Sequence, residues 1–434
     1  MLLDTYSLIN MTKMTSDKIS SITTKFASSA KSMVKLFSIV LTLLFTISAN
    51  ATDTTATSMP RISVITCHAG KQVYELCGHT AIRVQLGESI DRAINYGMFD
   101  FDTPNFVYRF VSGQTDYFVA DMPFLYFTEN YQRENRQIVE QELNLTPQQA
   151  RKLIYLLAIN LRPENSYYRY NYVKNNCATL PINVIEKAIG QPIIFGEPQI
   201  DGAQEWTFRQ EMRHFHKNYP WYQFGIDLAL GSGIDYKLST REKGFAPEAL
   251  QQMLSNATIT DSTGNTIPLV KQTKILNAGA PNGAQLRATP WIQSPMCASL
   301  IIFCIVLSFT ILDIKRRHTT RWLDSLLFLI FAFMGCVITF LVFKSTHEAT
   351  SPNWLIVWLN PIAFIPAIGI WLKKCKFMVL CYHFANFVAL FLLIIIWNWI
   401  EQVANVAFWP LILCSLMRSA SYIYTNKCVK RITA

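Results

Sequence analysis

The hydrophobic and polar positions divide the chain into three parts. The first carries one apolar run near the N-terminus, and the second mixes hydrophobic and polar positions as globular domains do. In the third, apolar stretches long enough to cross a bilayer recur with short polar breaks. We predict an N-terminal extension with a signal peptide at residues 1–51, an exported domain at 52–290, and a membrane domain with about five transmembrane helices at 291–434.

The N-terminal apolar run has the pattern of a secretory signal peptide. It extends from Leu36 to Ile47, follows Lys35, and precedes Ala49-Asn50-Ala51, which is a small-x-small cleavage site. An uncleaved membrane anchor is the alternative. Residues 1–32 precede this pattern without an evident role, and we expect translation to start at Met33.

Positive charges give the orientation of the membrane domain. The five candidate spans are about 296–312, 323–343, 353–372, 378–397 and 403–423. Lys and Arg cluster after the first and third spans and around the end of the fifth, which places these gaps on the cytoplasmic side. The exported domain is then periplasmic, as the signal peptide also indicates, and the protein is a multi-pass protein of the inner membrane. The net charge of +10 reflects this topology, and we expect no nucleic-acid partner because no basic, aromatic-interleaved motif occurs.

Alternating hydrophobic and polar positions predict a β-hairpin early in the exported domain. Its strands are Thr80 to Leu86 and Ile90 to Gly97. If the turn is centred near Glu88, His79 and Asn95 are diagonal neighbours on one face of the hairpin.

Two helices follow in the exported domain. Thr146 precedes a proline and can form a capping box with Gln149, which begins a helix that ends near Leu161. A second helix begins after Cys177 and ends at Gly190.

Cys177 is the candidate nucleophile because it lies where an aromatic strand gives way to a helix. The positive end of the helix favours the thiolate, and the imidazole of His79 can take the proton. Asn95 is the best placed group to orient that imidazole, with Asp100 as the second choice. Backbone N–H groups at the helix start can hold an oxyanion. These residues predict acyl transfer through a thioester, and a buried structural thiol is the alternative for Cys177.

The other cysteines and histidines of the exported domain favour structural roles. Cys67 and Cys77 are expected to form a disulfide or to be two small buried residues, and His68 is a weaker candidate base. His214 and His216 are typical of a solvated helix face or an interface. Because no CxxC and no Cys/His ligand spacing occurs, we expect no metal and no cofactor.

Three motifs carry a resemblance to a known fold. They are Gly78-His79-Thr80-Ala81, Asn95-Tyr96-Gly97 and Asn175-Asn176-Cys177-Ala178-Thr179. A histidine strand, a strand with a third polar residue and Asn-Cys at a helix start resemble the circularly permuted papain-like fold of NlpC/P60-type amidases and lecithin:retinol acyltransferase-like enzymes. The chain resembles the Lnb-type lipoprotein N-acyltransferases more closely, although Cys77 stands where a bulky apolar residue is expected. The implied fold class is α+β, a permuted papain-like exported domain followed by a multi-span helical membrane domain.

The resemblance implies a specific reaction. Cys177 attacks an ester of a membrane phospholipid, with His79 as base, and a lysophospholipid leaves. The α-amine of a diacylglyceryl-modified lipoprotein cysteine then attacks the thioester. A peptidoglycan endopeptidase or amidase of NlpC/P60 type and a non-catalytic, membrane-tethered binding protein are the alternative functions.

Two further segments have more than one interpretation. The aromatic-rich stretch Phe99 to Tyr131 predicts a core with short helices, and an apolar groove for acyl chains is the alternative. The outer loop with His347 and Glu348 precedes Trp354. It can contact substrate, but we favour interfacial anchoring by tryptophan beside a solvated loop.

Overall fold

The computed structural model describes residues 59–200, 202–261, 263–279 and 287–432. The described residues belong to one compact unit. The predicted extension and signal peptide at residues 1–51 lie outside the described residues.

A seven-stranded antiparallel sheet is the centre of the described part of the exported domain. Its order is β6-β4-β3-β2-β1-β5-β9, and β7 and β8 form a separate hairpin. The strands are β1 (Arg61–Cys67), β2 (His79–Leu86), β3 (Ile90–Met98), β4 (Asp116–Pro123), β5 (Ile138–Leu143), β6 (Tyr167–Arg169), β7 (Thr258–Thr260), β8 (Thr266–Pro268) and β9 (Val270–Asn277).

One group of helices packs around the sheet, and a second group forms the C-terminal domain. Those of the exported domain are α1 (Phe106–Val111), α2 (Phe124–Arg133), α3 (Pro147–Asn160), α4 (Thr179–Ile189), α5 (Phe208–Phe215), α6 (Pro220–Ala229), α7 (Thr240–Lys243) and α8 (Pro247–Ser255). Those of the C-terminal domain are α9 (Pro295–Arg316), α10 (Arg321–Phe343), α11 (Phe364–Gly369), α12 (Lys376–Ile396) and α13 (Phe408–Ile432). The fold class, a mixed α and β domain followed by a helical domain, is confirmed.

Local sequence accounts for the elements nearest the candidate nucleophile. Ala81 pairs with Asn95 across β2 and β3, which is the register that a turn near Glu88 requires. The side chains of Thr146 and Gln149 form the reciprocal capping box at the start of α3. The hairpin and the α3 start are therefore confirmed.

Three helical segments in the described part of the chain are long and apolar enough to cross a membrane. They are Pro295–Arg316, Arg321–Phe343 and Lys373–Trp399. The predicted third span is not one continuous helix, because Trp354–Gly369 consists of short 3₁₀ segments and α11. Pro361 lies in this stretch and lacks the N–H that a helix interior requires.

A buried ionic network joins the exported domain to the membrane domain. Arg209 of α5 is fully buried and donates to Asp227 at 3.0 Å and to Asp235 at 2.7 Å. The other oxygen of Asp227 accepts from Asn405 at 2.8 Å, and Asp235 accepts from the Val403 amide at 3.3 Å. Removing Arg209 would take away the ion-pair partner of the buried Asp235, whereas Asp227 would keep Arg213 at 3.1 Å, so this network favours one fixed arrangement of the two domains.

The exported domain contacts the membrane domain at the C-terminal end of α10. The ring of Tyr108 in α1 lies 6.0 Å from the ring of Phe340 in the last turn of α10. Just beyond α10, the Thr346 amide donates to the Ser112 carbonyl at 3.0 Å. The basic gap that contains Arg321 lies at the opposite end of α10, in agreement with the topology that the charges predict.

Candidate active site

Cys177 is held by the side chain of the residue before it. The buried Asn176 carboxamide oxygen accepts from the amides of Ala178 at 2.8 Å and Thr179 at 2.9 Å. Its nitrogen donates to two carbonyl oxygens, each at 2.8 Å. One side chain thus satisfies the first free amides of α4 and attaches the loop to the core.

This arrangement changes the expected oxyanion donors. We expected the N–H groups at the start of α4 to serve, but those of Ala178 and Thr179 are taken by Asn176. The amides that lie against the Cys177 sulfur are those of Cys177 itself and Thr80 of β2. These two groups are therefore the candidate donors to developing negative charge.

Gly97 lets the hairpin approach the nucleophile. A Cβ atom at Gly97 would lie 3.2 Å from the Cys177 Cβ, and the φ of Gly97 is +84°. The β3–β4 pairing is irregular between Asn95 and Met98. An isolated glycine at an irregular strand position marks a close backbone approach, and here it brings Cys177 beside the strands that carry His79 and Asn95.

Asn95 fixes the protonation pattern of His79. The His79 Nε2 lies 3.1 Å from the Asn95 side-chain oxygen, and the Asn95 nitrogen donates to the Ala93 carbonyl at 3.3 Å. An amide oxygen can only accept, so Nε2 carries the proton and Nδ1 has the free lone pair. The neutral imidazole is therefore prepared to accept a proton at Nδ1.

The thiol and the imidazole are both neutral at rest. Burial raises the pKa of the Cys177 thiol to about 11, although the Thr80 and Cys177 amides act in the opposite direction. Burial also lowers the pKa of His79 to about 4, against the hydrogen bond to Asn95 and with help from the Arg136 guanidinium. The expectation that the helix start favours a resting thiolate is thus outweighed by desolvation.

Aromatic rings account for this desolvation. Tyr131 lies parallel to the His79 imidazole, with ring centroids 6.4 Å apart. Burial raises the pKa of Tyr117 to about 12 and that of Tyr170 well above its ordinary value, and the nearby Cys177 adds to both shifts. An ester carbonyl bound here would be shielded from water on these sides.

Two family models match the chain, one in the exported domain and one in the membrane domain. The Lnb N-terminal periplasmic domain matches residues 48–198, and the Lnb transmembrane domain matches residues 287–428. The chain belongs to the Lnb family. It is thus a membrane protein with a periplasmic part, and Cys177, His79 and Asn95 all lie in the periplasmic match. No curated protein and no solved structure matches the chain.

The remaining thiols of this Lnb periplasmic domain are placed for packing. Cys67 and Cys77 are both free, so the structure holds them as two unlinked residues. Burial raises the pKa of both thiols, that of Cys77 to about 12, while hydrogen bonds from Tyr131 to Cys67 and from Tyr172 to Cys77 oppose the shift. Cys67 lies opposite His79 in the β1–β2 pairing.

The weaker candidates for the base and for the orienting residue are bonded to other residues. His68 is 3.0 Å from a side-chain oxygen of Gln251 in α8. His216 is buried rather than solvated and is bonded to Gln223 at 2.8 Å. Asp100 is exposed and accepts from a neighbouring turn amide, so Asn95 rather than Asp100 contacts His79.

The outer loop contacts protein and is not simply solvated. His347 Nε2 lies 2.7 Å from the Phe110 carbonyl of α1. Glu348 forms an ion pair with Lys174, three residues before Cys177. The loop of the Lnb transmembrane domain therefore borders both α1 and the nucleophile loop.

The sequence offers Asn175 or Asn176 as the cap of the helix after Cys177, and Asn176 is the residue that accepts from the amides there. Sequence reasoning did not assign roles to Gly97 or the Thr80 amide, although a glycine at the end of a predicted strand was visible. The amide of Thr80 left no sequence signal, because its role depends on how α4 packs against β2.

Proposed function

We propose that this Lnb-family protein is a cysteine acyltransferase that N-acylates lipoproteins at the inner membrane. The observation that carries the proposal is the His79–Asn95 hydrogen bond on the hairpin that packs against Cys177, since it leaves Nδ1 free to accept a proton. Family membership and the docked membrane domain support a membrane substrate.

In the first half-reaction, the Cys177 sulfur attacks an ester carbonyl of a phospholipid while its proton passes to His79 Nδ1. The amides of Thr80 and Cys177 stabilise the oxyanion. The ester C–O bond then breaks, His79 returns the proton to the leaving alkoxide, and a lysophospholipid departs. The acyl group remains as a thioester on Cys177.

In the second half-reaction, the free α-amine of a diacylglyceryl-cysteine lipoprotein attacks the thioester. His79 accepts the amine proton and the C–S bond breaks, with the thiol re-formed by that proton. The product is an N-acylated, triacylated lipoprotein. Asn95 stabilises the imidazolium that forms transiently in both halves.

The membrane domain contributes proximity. Its contacts with α5 and α6 would hold the thiol at a fixed distance from the lipid headgroups, where both substrates reside. A soluble peptidoglycan hydrolase on the same fold would not require this arrangement.

The test is mass spectrometry of a lipoprotein N-terminus. A host without its own N-acyltransferase would express the full chain as wild type, Cys177→Ala or Cys77→Ala. We expect the wild type and Cys77→Ala to add one acyl chain to the α-amine and Cys177→Ala to add none.

The Cys77 variant is the matched control because it removes a free, partly buried thiol of the same domain. Acylation by Cys177→Ala would refute the nucleophile assignment. If all three proteins insert in the membrane and none acylates the lipoprotein, the transferase proposal fails and peptidoglycan hydrolysis becomes the assay of choice.

A further inference from the structure

Helix α1 exposes an apolar face at the boundary with the membrane domain. Val107 is 73% exposed and Tyr108 is 61% exposed, although both belong to a short helix of aromatic and aliphatic residues. Arg109, the charged residue of this helix, turns back to the sheet domain and donates to Asp116 at 2.9 Å. The helix is thus amphipathic, with its charge occupied by protein and its apolar side left open.

The position of this face identifies what covers it. Tyr108 contacts Phe340 in the last turn of a helix that is apolar enough to cross the bilayer. Phe343, in the same last turn of this helix, is 71% exposed, as lipid-facing residues are. The open side of α1 therefore adjoins the exposed apolar surface at the end of α10.

A line of aromatic rings leads from this face to the nucleophile. We name it the aromatic track and define it as Phe110, Phe106, Phe99, Tyr117 and Tyr170. The successive ring centroids are 6.2, 5.9, 5.2 and 3.9 Å apart. Its inner end, formed by the two tyrosines, is close enough to Cys177 for a thiolate there to raise their pKa values.

The outer half of the aromatic track is accessible. Phe101 flanks it, with its ring 4.7 Å from Phe99 and 5.1 Å from Phe106, and is 62% exposed. The expectation that the aromatic-rich stretch is simply a core holds for its buried members, such as Phe124 and Phe127. Exposed rings in a connected line favour a surface that binds a flexible apolar chain.

We propose that α1 inserts its open face into the outer leaflet and that the aromatic track binds an acyl chain of a phospholipid on its way to Cys177. This site rests on the proposed acyl transfer for its purpose, but lipid binding along the track is independent of the chemistry. The ligand is the hydrocarbon chain of a bilayer phospholipid, and the bulk of its headgroup stays at the level of α1.

Photocrosslinking tests the site directly. The photoreactive residue benzoylphenylalanine would replace Val107, Phe101 or Ile275 in the full-length protein, in vesicles of phosphatidylethanolamine and phosphatidylglycerol. Ile275 is the matched control because it is 58% exposed on β9, at the opposite edge of the sheet from β4 and β6. All three variants carry Cys177→Ala, so that no adduct can arise from enzymatic acylation.

We expect phospholipid adducts, detected as intact mass, at positions 107 and 101 and none at 275. Adducts at 107 without adducts at 101 would overturn the track and leave only membrane contact. Equal labelling at 275 and 101 would overturn the site, because the lipid would then be reacting with any exposed position.

A kinetic measurement separates this site from the proposed function. In proteins with Cys177 intact, the rate of Cys177 acylation is measured with a long-chain phospholipid and with a short-chain ester, and the first rate is divided by the second. Phe101→Asp should lower this ratio about tenfold, since a phenyl contact with the long chain is lost. Ile275→Asp should leave this ratio as in the wild type. An unchanged ratio in Phe101→Asp would overturn the track, whereas lipid adducts at 101 in a protein that never acylates Cys177 would overturn the function and leave the site.

Discussion

Replacing Asn95 by alanine should slow thioester formation without unfolding the protein. The substitution removes the acceptor that lies 3.1 Å from His79 Nε2. His79 becomes positively charged when it takes the thiol proton, and a hydrogen bond to a charged group contributes about 1.5–3 kcal/mol. The rate of Cys177 acylation should therefore fall about 10- to 100-fold.

The pH profile distinguishes this role from simple packing. The reaction needs neutral His79, so the rate is lost as the pH falls through the pKa of about 4. The Asn95 hydrogen bond raises that pKa, and Asn95→Ala should therefore move the acid limb to lower pH. Asn95→Asp places a negative charge at the same position and should move the limb to higher pH.

The assay is single-turnover acylation of Cys177 in phospholipid vesicles, followed by intact mass across the pH range, with thermal unfolding as the folding control. A folded Asn95→Ala protein that acylates at the wild-type rate would refute the reasoning. Acid limbs that shift in the same direction in both variants would also refute it. A packing defect would move both limbs alike, whether the hydrogen bond is removed or a negative charge is added.

Three further predictions follow from the site and its support. Gly97→Ala puts a Cβ 3.2 Å from the Cys177 Cβ at a φ of +84°, so acylation should slow about tenfold or more; a fully active variant would contradict the close approach. The rate of Cys177 alkylation by iodoacetamide, followed by peptide mass spectrometry, should keep rising until the pH reaches the thiol pKa of about 11. A rate that is already constant from pH ~6 would show a resting thiolate instead. Arg209→Met should destabilise the protein by about 3–5 kcal/mol in thermal unfolding, because the buried Asp235 loses the guanidinium with which it forms its ion pair. Lys237→Met, at an exposed ion pair, should change the stability little, and equal effects would refute the network's importance.

The hairpin and the start of α3 were predictable because their signals are local. Alternation and one turn set the register that pairs Ala81 with Asn95. That register alone places His79 near Asn95, without information on any tertiary contact. Thr146 and Gln149 likewise interact within one turn of α3.

The support of the site was not predictable because it depends on residues far apart in sequence. Asn176 donates to the carbonyl of Phe245, which is 69 residues away. The charge of Arg209 is balanced from α6 and the segment after it, and that network extends to Asn405 in the membrane domain. Composition and periodicity contain no information on such pairings.

The resting state of the thiol is best understood together with the course of the proposed reaction. A permanently ionised thiol in the oxidising periplasm would react with oxidants as readily as with lipid. With the pKa of Cys177 near 11 and that of His79 near 4, the proton moves only when attack on a carbonyl makes the transfer favourable. The aromatic rings that desolvate the pair would also keep water from the thioester until an amine arrives. Low resting reactivity and protection of the intermediate therefore have one physical cause, the burial of Cys177 and His79 among aromatic side chains.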